Sequence, residues 1–484
     1  MLLLGPLTLA QTYSVVRFGA KADGKTLNTR AIQQAIDAAS RAGGGTVDVP
    51  AGRFVTGTLY LRSHVRLFLG PGAVLLGSPN PGDYPEIGSK TLMDVPRSVD
   101  PAAQIRHDQS RFALLFAEKQ EHITIDGPGT IDGNGAATRV NTSAENNHRP
   151  ISVYLIACRN VVVQQVTLRN SLFWNQYYLG CDGVRITGIR VDNLENFNND
   201  GIDIESRNVT ISDCQIDCDD DAICLKSNYY WPVENVTITN CQIRTNCNGI
   251  KTGTASLGGF RNITISNCTI SAASRDKLRF WDKNLRYVDQ PRTVIAGLAL
   301  EVVDGGVMDG VTVQNVVMRD VQTPIFIKLG NRARKEKPTD PDRPPGQLRN
   351  VFISHIVAES HSRMTSSITG FPGHYVENVT LRDISFTGPG KGAIDAASRV
   401  MPENERAYPE NHMFGPELPA YGLWARHVRG LTLDNIHLTV REPDARSALV
   451  LDNVVDPDLN RIKAAPSIDG QVGVLVNGKA HKSE

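Results

Sequence analysis

Along most of this chain, apolar and polar positions alternate in short bursts that share one frame. An Asn or Gly comes first, aliphatic residues take the second and fourth positions, and a Cys or aliphatic residue takes the seventh. The frame reads NVVVQQV from Asn160, GVRITGI from Gly183, NVTISDC from Asn208, NVTITNC from Asn235 and NITISNC from Asn262. It returns at Gly310, Asn350, Asn378 and Gly430. The first five starts are 23, 25, 27 and 27 residues apart. Short, β-branched, alternating runs bounded by Asn, Gly or Asp are a strand signal. No helix-length stretch separates most of them, which argues against alternating strands and helices. A repeat of this length with several short strands predicts a single parallel β-helix, each coil burying its inward face only by stacking on its neighbours. A leucine-rich repeat is the main rival, but its leucine and asparagine spacing is not met. A solenoid is one domain however long, so the two or three domains suggested by 484 residues are not expected.

The frame also sets expectations for side chains. Cys214, Cys241 and Cys268 share its seventh position in three successive coils. Stacked strands lie ~4.8 Å apart, so these thiols form an interior ladder, poorly aimed for disulfides and serving as small core fillers. The recurring asparagines are expected to stack and bond the turn backbones. Ahead of the coils, residues 28 to 42 (NTRAIQQAIDAASRA) carry apolar residues at helical spacing and stop at Gly43, Gly44 and Gly45. That helix is expected to cap the open end. The frame fades after about 440. The expected division is an export-signal remnant over 1–11, cap and first coils over 12–80, the β-helix over 81–455, and a closing cap and tail over 456–484.

Composition narrows the function. Lys plus Arg equals Asp plus Glu, 51 each, so no basic surface points to nucleic acid. No apolar run reaches the ~20 residues of a membrane span. The start MLLLGPLTLAQ reads as the apolar part of an export signal without its basic head, so a secreted or periplasmic location is expected. The eight cysteines contain no C-x-x-C pair, which disfavours zinc and dithiol redox chemistry.

The chemistry concentrates in residues 196 to 227, which hold eight carboxylates, among them Asp200 and the run Asp219, Asp220, Asp221. Asp200 precedes Asp220 and Asp221 by 20 and 21 residues, about one coil, so stacking brings them to adjacent rungs. Strict alternation would send Asp220 and Asp221 to opposite faces. Both reach one cleft only if the strand begins or kinks there. Crowded carboxylates suit glycoside hydrolysis, with one acid protonating the leaving oxygen and another activating water. They equally suit a polar turn or a calcium site, and both readings stay open on the residues alone.

The pairing of NNDGID with DDDAICLKS resembles the Asn-Thr-Asp and Asp-Asp signatures of the polygalacturonase family, glycoside hydrolase family 28. VVRFGAKADGKTLNTRAIQQAI and NSLFWNQYYL resemble it too, and the likeness covers most of residues 14 to 330. The resemblance implies a right-handed parallel β-helix that cuts pectic polymers with inversion and without a cofactor or metal. It implies Asp220 as general acid, Asp200 and Asp221 as holders of the attacking water, and Asn198 within the signature. Two departures bear on substrate. Asn248 stands where the family has a histidine, and Ala299 and Glu301 stand at its Arg and Lys positions. Lys328, Arg332 and Arg334 on the next coil are candidates to replace the lost charge. Lys226 and Lys251 flank the acids, Trp174 begins the preceding coil, and His148 with Arg149 is placed at the cleft end. Residues 275 to 287, which interleave basic and aromatic side chains, form a candidate rim that would pair and stack with anionic sugars. The expected partner is a pectic poly- or oligosaccharide, bound by a monomer, with rhamnogalacturonan or a side-chain linkage favoured over plain polygalacturonate. A β-helix polysaccharide lyase and a non-catalytic glycan-binding solenoid are the alternatives.

Overall fold

The first residue of each repeat is where the chain turns. In the computed structural model, which describes residues 11–87, 111–138, 148–229, 231–276, 292–334, 343–465, 468 and 473–481, Asn160, Asn208, Asn235, Asn262, Asn350 and Asn378 all adopt left-handed backbone, with φ between 53° and 58°. Gly183, Gly310 and Gly430 do the same at their repeat starts. Only Gly and, among the rest, Asn and Asp visit this region at low cost, which explains the composition of the first position. The sixth position is a second left-handed corner, occupied by Asp213, Asn240, Asn267, Asn315, Asp383 and Asn435 among others.

Between these corners the strands pair in parallel, coil on coil, into a right-handed parallel β-helix. Pairing starts with Thr12 beside Thr46 and Tyr13 beside Val47. The inward residues make one continuous core that runs from Val15 to Val474. Cys214, Cys241 and Cys268 lie in that core as free, buried thiols. Their column continues upward through Val316, Ile356, Ile384, Ile436 and Ile462.

Two expectations are revised. The stacked asparagines bond mainly to one another and not to the turn backbones: the Asn235 amide donates to Asn208 (3.0 Å) and the Asn262 amide to Asn235 (3.1 Å). Stacking at one coil spacing sets side chains of equal length side by side, within reach of each other. The coil also does not fade at 440. Strands Ser447–Val455 and Asp458–Ala464 continue the parallel pairing with strand Ala420–Val440. Asp456 and Arg461 are its left-handed first and sixth positions. Pro457 and the charged residues hid the frame, while Leu459 and Ile462 still face the core.

Helix Thr29–Arg41 forms where the spacing places it and buries Ala31, Ile32, Ala35, Ile36 and Ala39 over the open end of the first coils. Residues 1–10, and with them nearly all of the export-signal segment, lie outside the described residues. No helix among the described residues is long and apolar enough to cross a membrane.

A long insertion interrupts the solenoid among the described residues. Residues 389–419, with the short helix Ile394–Ser398 and the single turn Asn411–Phe414, cross the outer face of the later coils. Met401, Phe414 and Leu418 pack there against Ala296, Ala299, Phe326 and Trp424.

Candidate active site

One outward column of the solenoid decides where the acids meet. In register, coil by coil, it reads Tyr154, Tyr177, Asp203, Cys224, Lys251, Ala299, Phe326, Ser367 and Trp424. Alternation in the run I-D-I-E sends Ile202 and Ile204 into the core and Asp203 and Glu205 outward. Asp200 and the Asp219–Asp221 run sit in the turns that lead into these strands, between Gln215–Cys218 and Ile223–Ser227 for the run. The break in the strand frees Asp220 and Asp221 from alternation. The backbone N–H of Gly201 donates to the Asp221 carbonyl (2.9 Å) and that of Ala222 to the Asn248 carbonyl (2.9 Å). These bonds stack the Asp200, Asp221 and Asn248 turns on successive rungs.

Asp200, Asp203, Asp220, Asp221, Lys226, Asn248 and Lys251 are all buried. Lys226 lies 2.9 Å from Asp203 and 3.3 Å from Asp200, with its ammonium 4.6 Å from the Trp174 ring centre. Lys251 lies 3.1 Å from Asp221. Asp220 accepts from the backbone N–H of Asp221 (2.9 Å) and from the Asn198 amide (3.3 Å). Asp221 accepts from the Asn248 amide at 2.7 Å. Arg149 is held by the Phe197 carbonyl (2.9 Å) and sandwiched between the Phe173 and Phe197 rings. Beside it, the exposed His148 packs its ring on Phe112, 4.4 Å between centroids.

The surroundings sort the carboxyl groups. Burial pushes Asp200 well up, the neighbouring Asp203 and Asp220 add to the rise, and Lys226 only partly offsets it. Burial likewise lifts Asp203 to about 7 against the pull of Lys226. Asp221 goes the other way. Burial would raise it, but Lys251, Lys226 and the Asn248 amide outweigh burial and hold it below the ordinary carboxylate range. Burial weakens both ammonium groups, yet Asp203 near Lys226 and Asp221 near Lys251 keep them charged.

The remaining sequence candidates divide. Glu301, one rung past Gly253, is 1% exposed and its Oε2 has no hydrogen-bond partner among the described residues. Burial lifts its carboxyl to about 8, opposed by Lys251. Lys328 does not join the acids. It is 1% exposed, donates to the Gly370 carbonyl (3.4 Å) and lies beneath the Phe414 ring. Burial, with Arg426 nearby, lowers its ammonium to about 8. Arg332 and Arg334 are both bound to Asp304, at 2.6 and 2.9 Å, and Arg332 also donates to Thr254. Of the candidate rim, only Arg275 and Asp276 are described. The rest lies outside the described residues. Asp220, Asp221 and Cys247 bring ligand atoms within 4.8 Å of one another, but Asp221 is already engaged by Lys251 and Asn248, and a thiol is a poor partner for the hard cations that clustered carboxylates favour.

Sequence reasoning missed Asp203, the Asp304 anchor and the covering segment. The I-D-I-E alternation was a usable signal for Asp203. Nothing local marks Asp304, whose partners are 28 and 30 residues away.

Comparison with known proteins is consistent with this geometry. Residues 99–280 match the family described as Glycosyl hydrolases family 28. A probable polygalacturonase of Vitis vinifera is 35% identical over 229 residues, 46% of this chain and 45% of that protein. An exo-poly-alpha-D-galacturonosidase of Dickeya chrysanthemi is 30% identical over 252 residues, 43% of this chain and 41% of that protein. The matches span less than half the length of these curated relatives. A family 28 exopolygalacturonase from Yersinia enterocolitica shares the fold at 20% identity, with a TM-score of 0.66 over 95% of this chain and 79% of that one.

Proposed function

From the match of residues 99–280 to glycosyl hydrolases family 28, we propose that the chain is a member of that family and an inverting glycosidase acting on a uronate-containing pectic glycan. The observation that carries the reading is that Asp200, Asp220 and Asp221 are buried together on adjacent rungs, with Lys226 3.3 Å from Asp200 and Lys251 3.1 Å from Asp221. In the proposed reaction, water attacks the anomeric carbon as the bond from that carbon to the leaving oxygen breaks. Asp220 gives its proton to the leaving oxygen, and a carboxylate on the other side takes one from water. Asp221, held ionised by Lys251 and Asn248, is the carboxylate that takes that proton. Asp200 carries the higher proton affinity and helps to hold the water. The similarity to polygalacturonases supports a pectic substrate class, and an exported location goes with it as part of the proposal.

Within that class we favour a backbone or branch that mixes uronate with neutral sugar. The positions that carry Arg and Lys elsewhere in the family hold Ala299 and Glu301 here. Lys328 is capped by the covering segment and Arg332 is spent on Asp304, so neither supplies a free cation. Glu301, its carboxyl lifted to about 8 by burial, offers a galacturonate carboxylate no cation below that pH and repels it above, whereas a sugar hydroxyl meets a partner in either form.

The test is incubation with a panel of pectic oligosaccharides, with the product anomer followed by NMR. The first product has inverted configuration, and turnover on the mixed backbone exceeds that on unsubstituted polygalacturonate. A first product of retained configuration ends the inverting assignment. A preference for polygalacturonate ends the subsite argument.

A further inference from the structure

We infer that residues 389–419 close the groove one rung past the acid cluster, so that the site takes the end of a glycan chain and not its interior. The inference rests on the glycosidase reading and deepens it.

The rung after Asn248 and Lys251 begins with Ala296 and Ala299, their partners in register. Both are buried beneath the covering segment. Rungs lie ~4.8 Å apart, comparable with the length of one pyranose ring, so about one sugar fits between the acids and the wall.

The wall is fastened at points along its length. The Asn411 amide donates to the Ile295 carbonyl (2.9 Å), to Gln322 (3.1 Å) and to Thr323 (3.2 Å). Phe414 meets Trp424 edge-on, ring centroids 4.9 Å apart. The Met401 and Pro402 carbonyls accept from Arg426 at 2.8 and 2.7 Å, and the Glu405 carbonyl accepts from the Asn331 N–H at 2.6 Å. Opening it for a polymer to run through breaks these bonds and uncovers Ala299, Phe326 and Trp424 together. On the opposite side, Trp174, Tyr177 and Tyr229 are packed into a buried aromatic cluster.

At the dead end stands Glu301, with a buried oxygen that has no hydrogen-bond partner among the described residues. A chain end differs from an interior unit by one free hydroxyl, the one that would otherwise be spent in a linkage. An unpaired carboxyl oxygen one rung beyond the acids is placed to meet that hydroxyl, and leaving it unmet is costly. Glu301 is therefore the residue that recognises the terminal sugar.

The experiment follows purified full-length protein on polymeric and end-labelled pectic substrates, reading reducing ends, viscosity and product length together. Release of single terminal units, with viscosity almost unchanged while reducing ends accumulate, supports the inference. Early appearance of mid-length oligomers with a fast viscosity drop overturns it and leaves the glycosidase reading intact. Release of no reducing ends from any pectic substrate overturns the glycosidase reading, and the inference with it. Glu301→Leu removes the hydroxyl partner and relieves a buried acid without a cavity. It raises KM for short oligosaccharides about tenfold, the worth of one hydrogen bond of roughly 1.4 kcal/mol, with kcat little changed. An unchanged KM overturns the role of Glu301.

Discussion

Asp220 is the residue on which turnover depends most directly in the proposed reaction. Among the described residues its carboxylate accepts from the Asp221 N–H and the Asn198 amide, so Asp220→Asn keeps the shape and relieves charge crowding. Loss of a general acid typically costs 10²–10⁴-fold, and a fall of about that size in kcat is expected, with an unchanged circular dichroism spectrum. Near-normal kcat would remove Asp220 from the role. Glu301 gives a prediction of a different kind. Its folded carboxyl is raised to about 8 from an ordinary 4.5. A raised value means that the folded chain binds the proton more tightly than the unfolded chain. The associated stability is complete below about 4.5 and drains away as pH rises through 8. Glu301→Gln abolishes this drain. The melting temperatures of variant and wild type are therefore expected to lie close together at pH 4.5 and to diverge at pH 8, with the variant higher. Curves that stay parallel across that range would show that Glu301 ionises as freely when folded as when unfolded.

At the scale of the element, the turn residues are the sensitive points. Asn235 holds φ 56° while its amide donates to Asn208 and its oxygen accepts from Asn262. Alanine pays roughly 1–2 kcal/mol to stand in left-handed backbone and forfeits both exposed side-chain bonds. Glycine forfeits the bonds but not the conformation. Urea unfolding should rank wild type above Asn235→Gly and Asn235→Gly above Asn235→Ala, and the reverse order of the two variants would place the stability in the amide ladder alone. The natural glycines at 183, 310 and 430 show that the conformational requirement is the stricter of the two.

For the whole molecule, stability comes from one stacked core without covalent staples. All eight cysteines are free and buried, and Cys214, Cys241 and Cys268 donate to backbone carbonyls within their own coils. The melting temperature should therefore be the same with and without reductant, and alkylation after denaturation should label eight thiols per chain. A disulfide at any of the three ladder positions would overturn the coil register itself, because register alone sets which side chains are neighbours.

The sequence determined the solenoid, the capping helix over residues 28 to 42, the thiol ladder and the adjacency of Asp200 with Asp220 and Asp221. Each of these follows from a period, and a period is legible in one dimension when every coil repeats the same inward and outward choice. The last coil was missed because Pro457 and its charged neighbours broke the visible frame while leaving two inward residues in place. The fate of single charges was not legible at all. Lys328 and Arg332 looked like free cations from spacing, but one lies under Phe414 and the other is bound to Asp304. The wall of residues 389–419 has no period, and its partners at 295, 322 and 426 lie far away along the chain or beyond its own end. Only the folded chain decides which outward face an insertion covers, because that choice is made by contacts across many coils and not by the pattern within one.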